Sequence, residues 1–226
     1  MSDPVIVDFP LRGAWITPQT PGTRIPSHGT DALGERYAYD FVGIDPQRRD
    51  RRFYRAGVLR YLIFGVRLGA CYGWGRPIYS ATDGVVVQAE DGWPERDPVQ
   101  LARDINVMLK NARAFNAKQL TDLRILTGNT IMVESQAGYV VYAHAQTGSL
   151  RVAAGDRVVS GQHLANVGHS GNSTAPHLHF HIMDQPDPWT AQGIPCCFRD
   201  YEVFLDGDWR PVQHGIPKAT ERIRKL

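Results

Sequence analysis

Residues 171–182 read GNSTAPHLHFHI, and the alternation that begins at His177 decides how the chain is read. His177, His179 and His181 are three of its eight histidines, interleaved with Leu178, Phe180 and Ile182. A period of two with apolar residues of good strand propensity predicts a half-buried β-strand. Successive side chains on a strand point to opposite faces, so the imidazoles share one face and the apolar residues the other. Neighbours on one face stand roughly 6.5–7 Å apart. Two such rings can converge on one ion, or one can hold the ion while the next faces its open position. Histidine is the commonest metal ligand among side chains.

The totals bound what surrounds this strand. At 226 residues the chain suits one domain with insertions, or at most two small ones. A formal charge of +2 gives no electrostatic reason to expect a nucleic-acid partner. Cys71, Cys196 and Cys197 are too few and wrongly spaced for a disulfide framework or a thiolate zinc cluster. The N-terminus shows no basic start followed by an apolar run, so no export signal is evident. The longest apolar run, VLRYLIFGVRLGAC, is short for a membrane span and carries Arg60 and Arg67. A soluble chain is expected.

Working outward from the histidine strand, many short β-like runs are broken by glycines. PVIVDF and RYAYDFVGI read as strands. RPIYSATDGVVVQAEDG reads as strand, turn, strand about Asp83-Gly84. NTIMVES, GYVVYAHA, GSLRVA and DRVVSGQHLANVGHS continue the pattern, and the tail suggests a hairpin at Asp206-Gly207. Two stretches differ. Residues 46–70 are arginine-rich and read as an insertion with some helix and a solvated charged face. In residues 93–127, Asp97 is a candidate N-cap and Pro98 a first-turn proline. Leu101, Ile105, Met108, Ala112 and Phe115 there form an apolar helical stripe. The expected fold is mainly β: an antiparallel sandwich or barrel-sandwich hybrid with an inserted α-helix.

A catalytic zinc usually has three protein ligands and one open position. SHGTDALGERYAYDF offers His28, Asp31 and Asp40 as partners for the histidine strand. Asp31 sits in a polar loop where a carboxylate is easily solvated. Asp40 lies among Tyr37, Ala38, Tyr39, Phe41 and Val42, where a charge needs a cation or donors to be tolerated. Zinc would supply that compensation, and so would an arginine such as Arg36. His144 falls within an apolar strand and needs a partner or a ligand. His163 and His169 lie in turn-like sequence and read as surface residues, and His214 has no supporting context.

YAYDF, GRPIYSATDGVVV and YVVYAHAQTGSLRVAAGDRVVSGQHLANVGHSGNSTAPHLHFHI together resemble the lysostaphin-type zinc metallopeptidases, the glycyl-glycine and peptidoglycan endopeptidases. The resemblance covers about residues 24–184. It rests on an ordered set: a YxH strand, VxxGDxVxxGQ, a GxSGNSTxPH loop and an HxH strand. It implies one metallopeptidase domain spanning 1–226, with insertions at about 46–70 and 93–127 and a tail over 185–226. It also implies a Zn2+ ion held by His28, Asp40 and His179, with His144 and His177 as catalytic histidines that do not bind metal. His181 stands where many relatives carry another polar residue, and would lie beside the ligands or face substrate. The family's first histidine and aspartate usually lie three residues apart, which keeps Asp31 as the rival to Asp40.

Such a site would hydrolyse peptide bonds by a metal-activated water, and the family points to peptidoglycan cross-links and to the cell envelope. Three other readings compete. A biotinyl or lipoyl carrier would need an acceptor lysine in the hairpin, and no lysine stands between Lys118 and Lys218. A catalytically inactive relative would bind wall peptides or a protein as a regulator. A zinc hydrolase with a non-peptide substrate would use the same residues. GHSG at 168–171 lacks the Gly-x-Ser-x-Gly spacing of a nucleophile elbow, so no nucleophilic serine is expected.

Overall fold

The structure is a computed structural model describing residues 3–48, 50–116 and 120–226. Arg49 and residues 117–119, which fall in the two expected insertions, lie outside the described residues. Strands β1 (Val5–Val7), β2 (Gly13–Ile16) and β3 (Tyr39–Gly43) precede helix α1 (Val58–Phe64). Strands β4 (Pro77–Tyr79) and β5 (Gly84–Glu90) lead into helices α2 (Leu101–Asn116) and α3 (Arg124–Thr127). Then come β6 (Asn129–Ser135), β7 (Gly138–Ala145), β8 (Arg157–Val158), β9 (His163–Asn166) and β10 (His177–Met183). The chain finishes with β11 (Cys196–Leu205), β12 (Asp208–Gly215) and β13 (Ile223–Lys225).

The protein is mainly β. An eleven-stranded sheet runs β1-β11-β13-β2-β3-β10-β7-β6-β5-β8, with β12 pairing β11. The pairing is antiparallel except between β1 and β11, which makes the sheet mixed rather than purely antiparallel. A separate ribbon of β4 and β9 sends Ile78, Leu164 and Ala165 into the same core as Phe41, Tyr142, Phe180 and Phe198 from the large sheet. The two sheets therefore enclose one apolar layer. No helix among the described residues is long and apolar enough to cross a membrane.

Strand β10 sits in the middle of this sheet, paired with β3 on one side and β7 on the other. Leu178, Phe180 and Ile182 enter the core, as the period of two requires. The opposite face is buried as well, so the strand is not half-exposed as its alternation suggested. The imidazoles form the floor of a cleft instead of a wet surface.

Several local expectations are corrected. GSLRVA, residues 148–153, forms no strand. β4 and β5 do not pair with each other: β4 joins β9, and β5 joins β6 and β8. α2 starts at Leu101, so Asp97 is no N-cap; its carboxylate accepts from the Leu68 N–H and pairs with Arg67. The inward stripe of α2 is Leu101, Asp104, Met108, Asn111 and Phe115, while Ile105 and Ala112 are exposed. The apolar pattern was thus one residue out of phase at two positions. The polar residues turn inward because each meets a fixed partner. Asp104 bonds Arg96 and Arg103, and the Asn111 amide donates to Asn172. On α1 the outer surface carries apolar residues beside the exposed Arg60, with Leu59 71% and Phe64 70% exposed.

Candidate metal centre and flanking histidines

Strand pairing alone brings the first groups together. His179 stands directly opposite Asp40 in the β10–β3 register, and its Nδ1 lies 2.9 Å from Asp40 Oδ1. The His28 loop closes over them and puts Nε2 3.1 Å from Asp40 Oδ2. One ligand atom from each of His28, Asp40 and His179 lies within 4.8 Å of the others. Asp31 is elsewhere: its side chain is 62% exposed and pairs with Arg36.

The hydrogen bonds around these rings fix which nitrogen faces inward. Ser27 Oγ donates to the Glu35 carbonyl and is 3.1 Å from His28 Nδ1, so it accepts the Nδ1–H. His28 Nε2 then turns its lone pair toward Asp40. That atom is buried and makes no hydrogen bond despite the short distance. Two lone-pair bearers facing each other without a shared proton fit a common cation between them, which satisfies both. His179 Nε2 lies 3.1 Å from His181 Nδ1, and a proton carried on that side of the ring leaves Nδ1 free toward Asp40. The donor set of two imidazoles and a carboxylate suits zinc.

His144 and His177 flank this group, their ring centroids 4.6 Å apart. His177 Nδ1 is 2.7 Å from the Ala175 carbonyl and must carry the proton there. Its Nε2 faces the cleft, 3.5 Å from Asp40 Oδ1. His144 Nδ1 likewise donates to the Ser170 carbonyl at 3.0 Å. Both rings therefore present Nε2 lone pairs to the same space.

His144 reaches that space only because the backbone breaks its alternation. Val140 and Tyr142 face the core, so His144 on a regular strand would follow them. At this point Asn129–Ile131 of β6 spans Tyr142–Ala145 of β7, an extra residue that makes a bulge. His144 takes φ 62°, the left-handed region, and its ring swings to the cleft beside Ala143.

The local electrostatics follow from burial and proximity. Burial alone would raise the pKa of Asp40, but His177 and His28 beside it hold the carboxyl well below its usual range. Burial works against a charge on His28, yet Asp40 raises its pKa. Burial pushes His144 and His181 well down, and the neighbouring histidines add to that, so both stay neutral.

These groups line a cleft of about 1120 Å³. Met108 and Phe115 of α2 form one wall, and Phe115 stacks on Trp189, which follows β10, with centroids 5.9 Å apart. His163 is half-buried on β9 and bonds Asn166, and His214 is exposed on β12. His169 is not a surface residue: it is fully buried, between Asp104 and Ser173. A loop rich in Gly, Ser and Asn reads as exposed, but residues 168–174 are clamped from above. Arg96 donates to the Gly171 and Ser173 carbonyls, and the Asn172 N–H donates to Leu126.

Gly128 lets this loop approach. It has φ +63°, and a Cβ there would stand 2.6 Å from the Ser170 carbonyl carbon. Gly128→Ala is expected to destabilise the fold by about 1–3 kcal/mol and to displace the carbonyl that holds His144. A urea melt run alongside an activity assay tests both effects.

The model of peptidase family M23 matches residues 64–190, more than half of the chain. The chain belongs to peptidase family M23. The matched span of this M23 protein includes His144, His177 and His179 and begins after His28 and Asp40, which join the group through the fold. Among solved structures, the catalytic domain of the antimicrobial peptidase lysostaphin from Staphylococcus simulans is 20% identical. It aligns over 80% of this chain and 88% of its own, with a TM-score of 0.38. A putative glycyl-glycine endopeptidase lytM from Ruminococcus gnavus is 24% identical over 54% of this chain and 38% of its own, with a TM-score of 0.33. A zinc-containing peptidase from Vibrio cholerae is 17% identical over 77% of this chain and 33% of its own, with a TM-score of 0.35.

His181 gives a test of the inward assignment of His179. If its Nδ1 orients the ligand, His181→Leu lowers metal affinity roughly 10–100-fold while leaving the sheet folded. A competition titration with a coloured zinc chelator reads this directly. Unchanged affinity would show that His181 does not set the ligand ring.

Proposed function

We propose that this M23 protein is a zinc-dependent endopeptidase that hydrolyses peptide bonds in bacterial peptidoglycan cross-links. Membership in a peptidase family supports the reaction class. The observation that carries the reading is the pairing of two kinds of group in one cleft. Three ligand atoms from His28, Asp40 and His179 converge, and two imidazoles with inward Nε2 lone pairs stand beside them.

His28 Nε2, an Asp40 oxygen and His179 Nδ1 would hold the ion. Zinc, when bound, polarises a substrate carbonyl and makes water a better nucleophile near neutral pH. The protein's own groups supply the proton transfers. His144 or His177 accepts a proton at Nε2, and its Nδ1–H, tied to a backbone carbonyl, stabilises the resulting imidazolium. The same Nε2–H then faces the departing amine. The buried floor and the α2 wall keep bulk water from competing for these protons.

The test is to purify the protein with zinc, measure metal content, and incubate it with peptidoglycan sacculi. New amino termini are expected in the soluble fraction, abolished by a chelator and restored by zinc. Bound zinc with no cleavage of any wall peptide would overturn this reading and leave the non-catalytic regulator or a hydrolase of another substrate.

A further inference from the structure

Asp104 is an unusual residue for the inward stripe of a helix: its side chain has no exposed surface. Arg96 and Arg103 neutralise it, and the Gln100 N–H donates to it. That cluster would be complete if fastening α2 were the whole task. A fourth group also faces it. His169 Nε2 lies 3.5 Å from Asp104 Oδ2, buried and with no other partner. The other nitrogen of that ring, Nδ1, is 2.9 Å from Ser173 Oγ, and the same oxygen is 3.1 Å from His177 Nδ1. A line of polar atoms thus runs from a carboxylate on the inserted helix to the outer nitrogen of a cleft histidine.

We infer that Asp104, His169 and Ser173 form a positioning chain that fixes the His177 ring, making the inserted helix part of the catalytic apparatus. The Ala175 carbonyl decides which His177 nitrogen carries the proton, but a single contact leaves the ring free to tilt about it. Ser173 Oγ adds a second contact on the same edge. The hydroxyl gives its proton to the Ala175 carbonyl at 2.6 Å, so it accepts from His169 Nδ1 behind it, and Asp104 faces the other side of that ring. Arg96 sets the spacing, because one guanidinium bonds Asp104 through Nε and the Ser173 carbonyl through Nη2. A shift of α2 away from the cleft would loosen His177 without touching it. This inference rests on the endopeptidase reading for the consequence, though not for the geometry.

The experiment uses the full zinc-loaded chain with His169→Leu, His169→Asn, Ser173→Ala and the Leu/Ala double variant. His169→Leu cuts the chain, whereas the Asn amide can still donate to Ser173 Oγ. His169→Leu is expected to lower kcat roughly 10–100-fold with zinc content and KM unchanged, and His169→Asn to recover most of it. The double variant should be no worse than the poorer single one, since both break the same line. Long-range 1H–15N spectra should show one sharp His177 tautomer in the wild type, and broadened or mixed signals in His169→Leu and Ser173→Ala. Equal losses for Asn and Leu, additive losses in the double variant, or unaltered His177 signals would overturn the chain. If the wild type cleaves no wall peptide while the His177 signals still respond, the endopeptidase reading falls and the positioning chain stands.

Discussion

Replacing His179 by alanine is expected to remove bound metal and hydrolysis together. His179 occupies the centre of a strand buried on both faces and faces Asp40 across the β10–β3 pair. Its loss takes away one of three converging atoms that could hold the ion. It also leaves His181 without the ring that its Nδ1 bonds, and Asp40 without its 2.9 Å neighbour. Metal affinity should fall beyond the roughly 10–100-fold expected for a group that only supports a ligand. Dialysed His179→Ala should therefore carry no stoichiometric zinc, and its hydrolysis should match a blank. Retention of one zinc per chain would remove His179 from the ligand set and with it the site as drawn.

His144→Ala should have the opposite signature, with zinc retained and hydrolysis lost. Its ring makes no hydrogen bond to the candidate ligands: Nδ1 is held by Ser170 and the ring lines the cleft. Loss of a group that moves a proton costs about 10²–10⁴-fold in rate. If zinc departs as well, His144 is a ligand and the two roles must be exchanged. A third substitution separates chemistry from backbone strain. His144 sits at φ 62°, a conformation that glycine adopts freely and alanine does not. His144→Gly should be as inactive as His144→Ala yet more stable by about 1 kcal/mol. A melt that ranks them the other way would mean that the bulge stores no strain.

How much of this was legible in the sequence differs from residue to residue. The β10 face was readable because a period of two needs no knowledge of neighbours. That Asp40 needs a partner was readable from its place between Tyr39 and Phe41; that His28 and His179 stand beside it, and not Arg36, was not. The direction of His144 was not, since a bulge is a backbone event and Tyr142 two residues earlier faces the core. Asp104 was missed because hydrophobicity alone assigns a carboxylate outward. Its inward position depends on Arg96, which lies before α2. The loop of His169 has the composition of an exposed turn, and nothing local shows that Arg96 and α3 cover it. The order of the sheet, with β4 pairing β9 and the one parallel contact of β1, depends on contacts between distant segments that no window of sequence contains.

The position of β13 has a further consequence. This three-residue strand, which follows every other described strand in sequence, is wedged between β11 and β2 in the interior of the large sheet. While a ribosome still holds those residues, a nascent chain presents two open strand edges, each a template for pairing with another molecule. The same edges return if a protease clips the chain behind Arg222. Such a cut would unzip the sheet two strands from the one that carries Asp40 and disable the cleft without altering any group inside it.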